Sequence, residues 1–210
     1  MKIVVVTNDE LKSELLQQGI KENLVIEWHD DLNKINGTDA SVCIDLLFSE
    51  YTKERITVLN ELPVQLIIVN YVNGTSENLP ASFIRINGWN TLLKRAVVEA
   101  ASKDEKNKTI VEEVFDCFNK KTEWTEDLPG FITARVISMI INEAYYALNE
   151  NISTKEEIDT AMKMGTNYPY GPFEWCKLIG IKKVYGLLDQ LTIHNPRYQP
   201  SDLLKTEATS

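Results

Sequence analysis

The sequence predicts a chain in two parts: an α/β domain with a largely parallel sheet over residues 1–104, then an all-helical domain over residues 105–205. Three observations carry this. Up to about residue 100, short β-branched runs alternate with helical stretches, a pattern that implies βαβ crossovers around a sheet covered on both faces. Beyond the polar stretch Ser102–Lys108, apolar residues recur at helical spacing. The length of 210 residues, set against roughly 150 residues per domain, suits one large domain or two small ones.

Taken in order, Ile3–Thr7 is a buried strand, Glu10–Gln18 a helix with Leu11, Leu15 and Leu16 on one face, and Leu24–Trp28 a second strand. Ser41–Leu46 is a third apolar run, Thr52–Leu62 a helix, and Gln65–Asn70 a fourth strand after Pro63; Phe83–Ile86 and Ala96–Ala100 complete the sheet. In the second half, Thr109–Asn119 sets Ile110, Val111, Val114, Phe115 and Phe118 at helical spacing, and Asp127-Leu128-Pro129-Gly130 makes a turn. Phe131–Leu148 is apolar over most of its circumference, which predicts burial against its own domain and a second copy of the chain. Ser153 and Glu156 are placed to form a capping box for Lys155–Met164, with Gly165 as a left-handed stop. Helices over Pro172–Ile179 and Lys182–Leu191 follow, and Thr206–Ser210 is expected to fray.

Twenty-two Lys+Arg against 31 Asp+Glu give a net charge of −9, with no basic cluster. This argues against a nucleic-acid groove or an anionic membrane surface as partner. Cys43, Cys117 and Cys176 form no CxxC, so no disulfide framework or zinc site is expected. The two histidines, His29 and His194, are expected as solvated loop residues, too few for a metal site. Apolar runs are too short for a signal-peptide core or a bilayer span, which makes the cytoplasm the default.

Four motifs then stand in order: Asp127-Leu128-Pro129-Gly130-Phe131-Ile132, Asn142-Glu143-Ala144, Ile158-Asp159-Thr160-Ala161-Met162-Lys163-Met164-Gly165, and Tyr168-Pro169-Tyr170-Gly171-Pro172-Phe173-Glu174. With Gly180 and Tyr198-Gln199-Pro200-Ser201, they make residues 127–204 resemble the C-terminal domain of the 3-hydroxyacyl-CoA dehydrogenases. The resemblance implies a shortened Rossmann-like domain before it, a homodimer made through the helical domain, and acyl-CoA or another small molecule as ligand.

It also implies an NAD site and an acid–base pair, and the residues depart from both. A dinucleotide fold needs glycines after the first strand so that the pyrophosphate can approach the backbone. Here the turn reads Thr7-Asn8-Asp9-Glu10-Leu11-Lys12, with no glycine before Gly19. Glu27 or Asp30 would stand for the acid that holds the ribose. The family's long helical insertion after the second strand is missing, and Asp45 replaces its usual glutamate. The family's His–Glu pair takes the hydroxyl proton on an imidazole, which suits the task because its pKa is near neutral. The matching segment is Asn87-Gly88-Trp89-Asn90-Thr91, so Asn87 stands in place of the His, while Glu99 falls on the Glu position. Ala134 replaces a substrate-contacting Asn, and Thr75 or Ser76 falls where the substrate-binding Ser is expected. Asn90 and Trp89 are further candidates to line a substrate cleft, Trp89 by stacking.

The expectation is a 3-hydroxyacyl-CoA dehydrogenase-like protein that has lost NAD binding and dehydrogenase activity and acts as a dimeric binding or structural protein without cofactor or metal. The alternative is an active NAD-dependent 3-hydroxyacyl-CoA (3-hydroxybutyryl-CoA) dehydrogenase of fatty-acid metabolism.

Overall fold

The computed structural model describes residues 1–35, 37–49 and 52–210, apart from the side chain of Glu105. The chain divides into two compact units, Met1–Phe131 and Ile132–Ser210.

The first unit holds a seven-stranded sheet: β1 (Lys2–Val6), β2 (Val25–His29), β3 (Val42–Asp45), β4 (Leu66–Asn70), β5 (Phe83–Ile86), β6 (Val97–Ala101) and β7 (Lys121–Trp124). The strand order is β2-β1-β3-β4-β5-β6-β7, and every neighbouring pair is parallel except β5 with β6. Ile3 to Val6 of β1 are fully buried because apolar side chains cover both faces. On one face Ile3, Val5, Ile44 and Ile68 pack with Leu11 and Leu15 of α1 (Asp9–Leu16) and with Val111, Val114 and Phe115 of α3 (Lys108–Asp116). On the other, Val4, Val6, Cys43 and Val69 pack with Phe48, Phe83 and Leu59, the last from α2 (Lys53–Asn60).

The domain boundary expected at 104/105 is corrected by this packing. Helix α3 lies in the sheet core, and β7, inside the range expected to be all-helical, hydrogen-bonds alongside β6 from Val97↔Lys121 to Ala100↔Trp124. The alternation of exposed Lys121 and Glu123 with buried Thr122 is that of an edge strand, too short and too polar to stand out in the sequence.

The second unit consists of α4 (Thr133–Asn149), α5 (Lys155–Thr166), α6 (Pro172–Ile179), α7 (Ile181–Thr192) and α8 (Asp202–Thr209). Three local expectations are corrected here. The capping box at α5 is formed by Thr154 and Glu157, one residue later than Ser153 and Glu156, and the Ser153 hydroxyl instead donates to the Glu157 side chain. Gly165 lies inside α5, and the left-handed residue that ends it is Asn167 at φ 57°. The tail forms α8 and does not fray, because Ser201 caps it, Leu204 and Ala208 are buried, and Glu207 pairs with Lys155. Along α4, Ala134, Ile137, Ile141 and Tyr145 are buried, whereas Ile132, just before it, and Val136 are exposed.

Candidate functional site

Parallel strands bring loops together at their carboxyl ends, where open α/β sheets bind ligands. Strand β5 ends at Ile86, and the antiparallel β6 then runs beside it, so Asn87 meets Glu99. The Asn87 backbone N–H donates to the Glu99 carbonyl at 2.9 Å, and Asn87 Nδ2 donates to Glu99 Oε2 at 2.7 Å. Both residues are buried, and Arg95 Nη2 lies 4.0 Å from Glu99 Oε2. The two positions expected to carry acid–base chemistry are therefore in contact. Because Nδ2 is committed to Glu99, the amide presents Oδ1 on its other side, and this buried oxygen has no hydrogen-bond partner among the described residues.

The neighbouring loop is held from several sides. Asn70, at the end of β4, donates to the Leu46 and Gly88 carbonyls and accepts from the Gly88 N–H at 2.9 Å. A Cβ on Gly88 would come within 2.8 Å of the Asn70 side chain, so this close approach requires glycine. Thr91 has φ +71°, a left-handed conformation rare for threonine, and its N–H donates to Glu14 Oε1 at 2.6 Å. Burial pushes the Glu14 carboxyl above its usual range. Lys120 is buried and donates to the carbonyls of Leu93 and Arg95 at 2.7 and 2.8 Å; burial lowers its pKa to about 8. Trp89 and Asn90, named as cleft candidates, are 4% and 7% exposed.

Thr75 and Ser76 are engaged within the first unit. The Thr75 hydroxyl accepts from the Glu77 N–H as a cap, while the Ser76 N–H and hydroxyl both donate to the Asp127 carboxylate. Asp127 also pairs with Arg85, whose fully buried guanidinium lies over Tyr71 and Phe131 and donates to the Tyr71 carbonyl at 3.0 Å. This cluster was missed in the sequence. Its signal is Arg85 within Phe83-Ile84-Arg85-Ile86, since a charge in a buried strand needs a partner.

At the turn after β1, Asn8 caps α1 by accepting from the Leu11 N–H at 2.9 Å, and Asn8, Asp9 and Glu10 are exposed. Glu27 is occupied by His29 Nε2 at 2.9 Å and by the Thr38 hydroxyl, and the His29 hydrogen bond holds its carboxyl below the usual range. His29 is thus the half-buried last residue of β2 and not a solvated loop residue; His194 is exposed. Asp30 pairs with Lys34. Asp45 is fully buried and takes a bidentate pair from Arg55, both contacts at 2.7 Å. Burial raises the Asp45 carboxyl, and Arg55 opposes that shift. Ala134 is buried in the second unit, and all three cysteines are buried and free. Among the described residues no group of three or more His, Cys, Asp or Glu side chains is arranged to hold a metal, and no helix is long and apolar enough to cross a membrane.

A mostly parallel sheet with one antiparallel turn at β5–β6, followed by a five-helix unit, places the chain in the Rossmann class of dehydrogenase folds. Residues 130–209 match the family model described as 3-hydroxyacyl-CoA dehydrogenase, C-terminal domain. The chain is 43% identical over 84 residues to the 3-hydroxyadipyl-CoA dehydrogenase of Escherichia coli K12, covering 39% of this chain and 18% of that one. It is 31% identical over 148 residues to the 3-hydroxybutyryl-CoA dehydrogenase of Clostridioides difficile, covering 69% and 52%. The solved structure of (S)-3-hydroxybutyryl-CoA dehydrogenase from Ralstonia eutropha shares the fold, with a TM-score of 0.76 at 18% identity over 99% of this chain and 93% of that one. The chain belongs to the 3-hydroxyacyl-CoA dehydrogenase family, and its matches span about half or less of the curated relatives' length.

Proposed function

We propose that this protein is a non-catalytic member of the family, one that holds an acyl-CoA or related small molecule without oxidising it and without NAD. The observation that carries this is the Asn87–Glu99 hydrogen bond. It keeps the expected two-residue geometry but puts an amide where a proton must be taken, and an amide has no basic nitrogen to take it. The turn after β1 supports the same conclusion: its helix N-terminus is capped by Asn8 and flanked by Asp9 and Glu10, so carboxylates stand where a diphosphate would need backbone N–H groups. We further propose a homodimer made through the second unit, supported by the exposed apolar pair Ile132 and Val136.

The test is direct. The protein is mixed with NAD and 3-hydroxybutyryl-CoA, and NADH is followed by absorbance and by binding fluorescence. No turnover above background and no micromolar NAD affinity are expected, for the wild type and for Glu99→Gln alike. Turnover that Glu99→Gln abolishes would instead establish the active NAD-dependent dehydrogenase, the second reading, which the names of the curated relatives favour. Light scattering checks the dimer, and a clean monomer near 24 kDa would remove it.

A further inference from the structure

The second unit contains a cavity of about 430 Å³ that no residue of the Asn87–Glu99 site lines. Its apolar wall is made by Phe173, the ring of Tyr145, Cys176 and Ile181. Tyr145 and Phe173 meet edge to face, with centroids 5.0 Å apart. Polar groups gather at one side. Lys155 Nζ lies 5.3 Å and 5.4 Å from the Tyr145 and Phe173 centroids and is bound by both oxygens of Glu207 at 2.8 and 2.9 Å. The Tyr145 hydroxyl donates to the same carboxylate at 2.8 Å. Burial opposes the charge on Glu207, yet the Lys155 and Tyr145 hydrogen bonds hold its carboxyl below the usual range, so the Lys155–Glu207 pair is internally neutralised.

That leaves Lys177 as the uncompensated charge on the cavity wall. It is exposed, lines the cavity and forms no ion pair among the described residues. Helix α7 also begins at this wall, on Gly180, which supplies no side-chain cap. Helix α6 ends on the same Gly180, so its negative end opposes the positive end of α7 there, and the field of the wall comes from Lys177 itself. Two lysines against one glutamate make the wall net positive in a chain of net charge −9. Glu207 is the one anion among the residues that line it, because burial pushes the Cys176 thiol up to about 11 and the Tyr145 hydroxyl higher still, so both stay neutral at pH 7.

We propose that this cavity is a binding site for a small monocarboxylate with an apolar body, its carboxylate on Lys177 and its apolar part against Phe173, Ile181 and the Cys176 sulfur. The volume lies at the lower end of the range for small-ligand sites, which suits a short acyl chain or a single ring. The apolar wall supplies affinity and Lys177 supplies orientation.

The experiment uses the whole chain and three probes of equal length: hexanoate, hexanol and hexylamine, titrated by calorimetry. Saturable hexanoate binding, at least tenfold tighter than hexylamine, is expected. In Lys177→Met hexanoate should weaken about tenfold while hexanol is unchanged. In Lys177→Glu the preference should reverse towards hexylamine. Lys177 is exposed, so both variants are expected to fold, and circular dichroism checks this. Absence of saturable hexanoate binding, equal binding of hexylamine by the wild type, or wild-type hexanoate affinity in both folded variants would overturn the proposal.

Discussion

The two units carry their family in different ways. In Ile132–Ser210 the motif residues are the ones that hold the helices. The Asp159 carboxylate accepts the N–H groups of Phe173 and Glu174 at the start of α6, and a Cβ on Gly171 would overlap that same side chain. Glu174 closes back on the Gly171 N–H, and Asn142 clamps the chain before α8 by donating to Gln199 and accepting from Ser201. Few other residues perform these tasks in the same space. In Met1–Phe131 most sheet positions ask for apolar bulk, which Val, Ile and Leu supply interchangeably, with buried Asp45 and Arg85 as paired exceptions. Its site asks only for a side chain that donates to Glu99, which Asn87 does. A motif persists where the side chain is itself part of the scaffold; the fold outlasts the motif where burial alone is required.

The comparison can be broken first at Asp127. If the first unit rested on apolar packing alone, Asp127→Ala would be mild. Arg85, however, is fully buried and has Asp127 as its ion-pair partner. Removing one partner of a buried pair leaves an uncompensated charge and costs about 3–5 kcal/mol. Urea unfolding followed by tryptophan fluorescence measures this, and a loss below about 1 kcal/mol would place the first unit's stability in its apolar core alone.

Asp159→Ala is the matching change in the second unit. It strips the acceptor from two N–H groups at the start of α6, one of them buried, at about 1–3 kcal/mol in all. Trp175 lies on α6 and is buried, so its emission reports the loss locally. Unchanged unfolding would mean that these contacts are not what holds the motif in place.

Much of this division was legible in the sequence, and unevenly. The β-branched runs identified the parallel strands because a doubly covered sheet demands apolar residues at most positions. The resemblance singled out the positions of Asn87 and Glu99, but their hydrogen bond was not legible in the sequence, because it depends on the antiparallel return from β5 to β6. Lys121-Thr122-Glu123-Trp124 was not legible as a strand, because an edge strand is exposed on alternate residues and takes its structure from the partner β6. The engagement of Ser76 by Asp127 was also invisible, because the two are 51 residues apart and only the fold brings them together. The stop at Asn167 in place of Gly165 reflects asparagine's own tolerance of the left-handed region.

The smallest effect tests whether the α3–β7 segment belongs with the site it was thought to lie outside. Lys120, between those elements, donates to Leu93 and Arg95 and so ties down the loop that carries Asn90 and Thr91. Burial lowers its pKa from 10.5 to about 8. Below pH 8 both folded and unfolded chains hold the proton, and the full cost of burying the ammonium is present. Between pH 8 and 10.5 the unfolded chain retains a proton that the folded chain has released, so stability from this group rises with pH. Other lysines, tyrosines and cysteines titrate in the same window, so the quantity to measure is the difference between wild type and Lys120→Met. Wild type should gain on the variant by on the order of 1–2 kcal/mol across that window. A difference that stays flat with pH would show that Lys120 is not desolvated in the folded state, and that the 88–95 loop is held by Asn70 and Glu14 without help from the segment beyond residue 104.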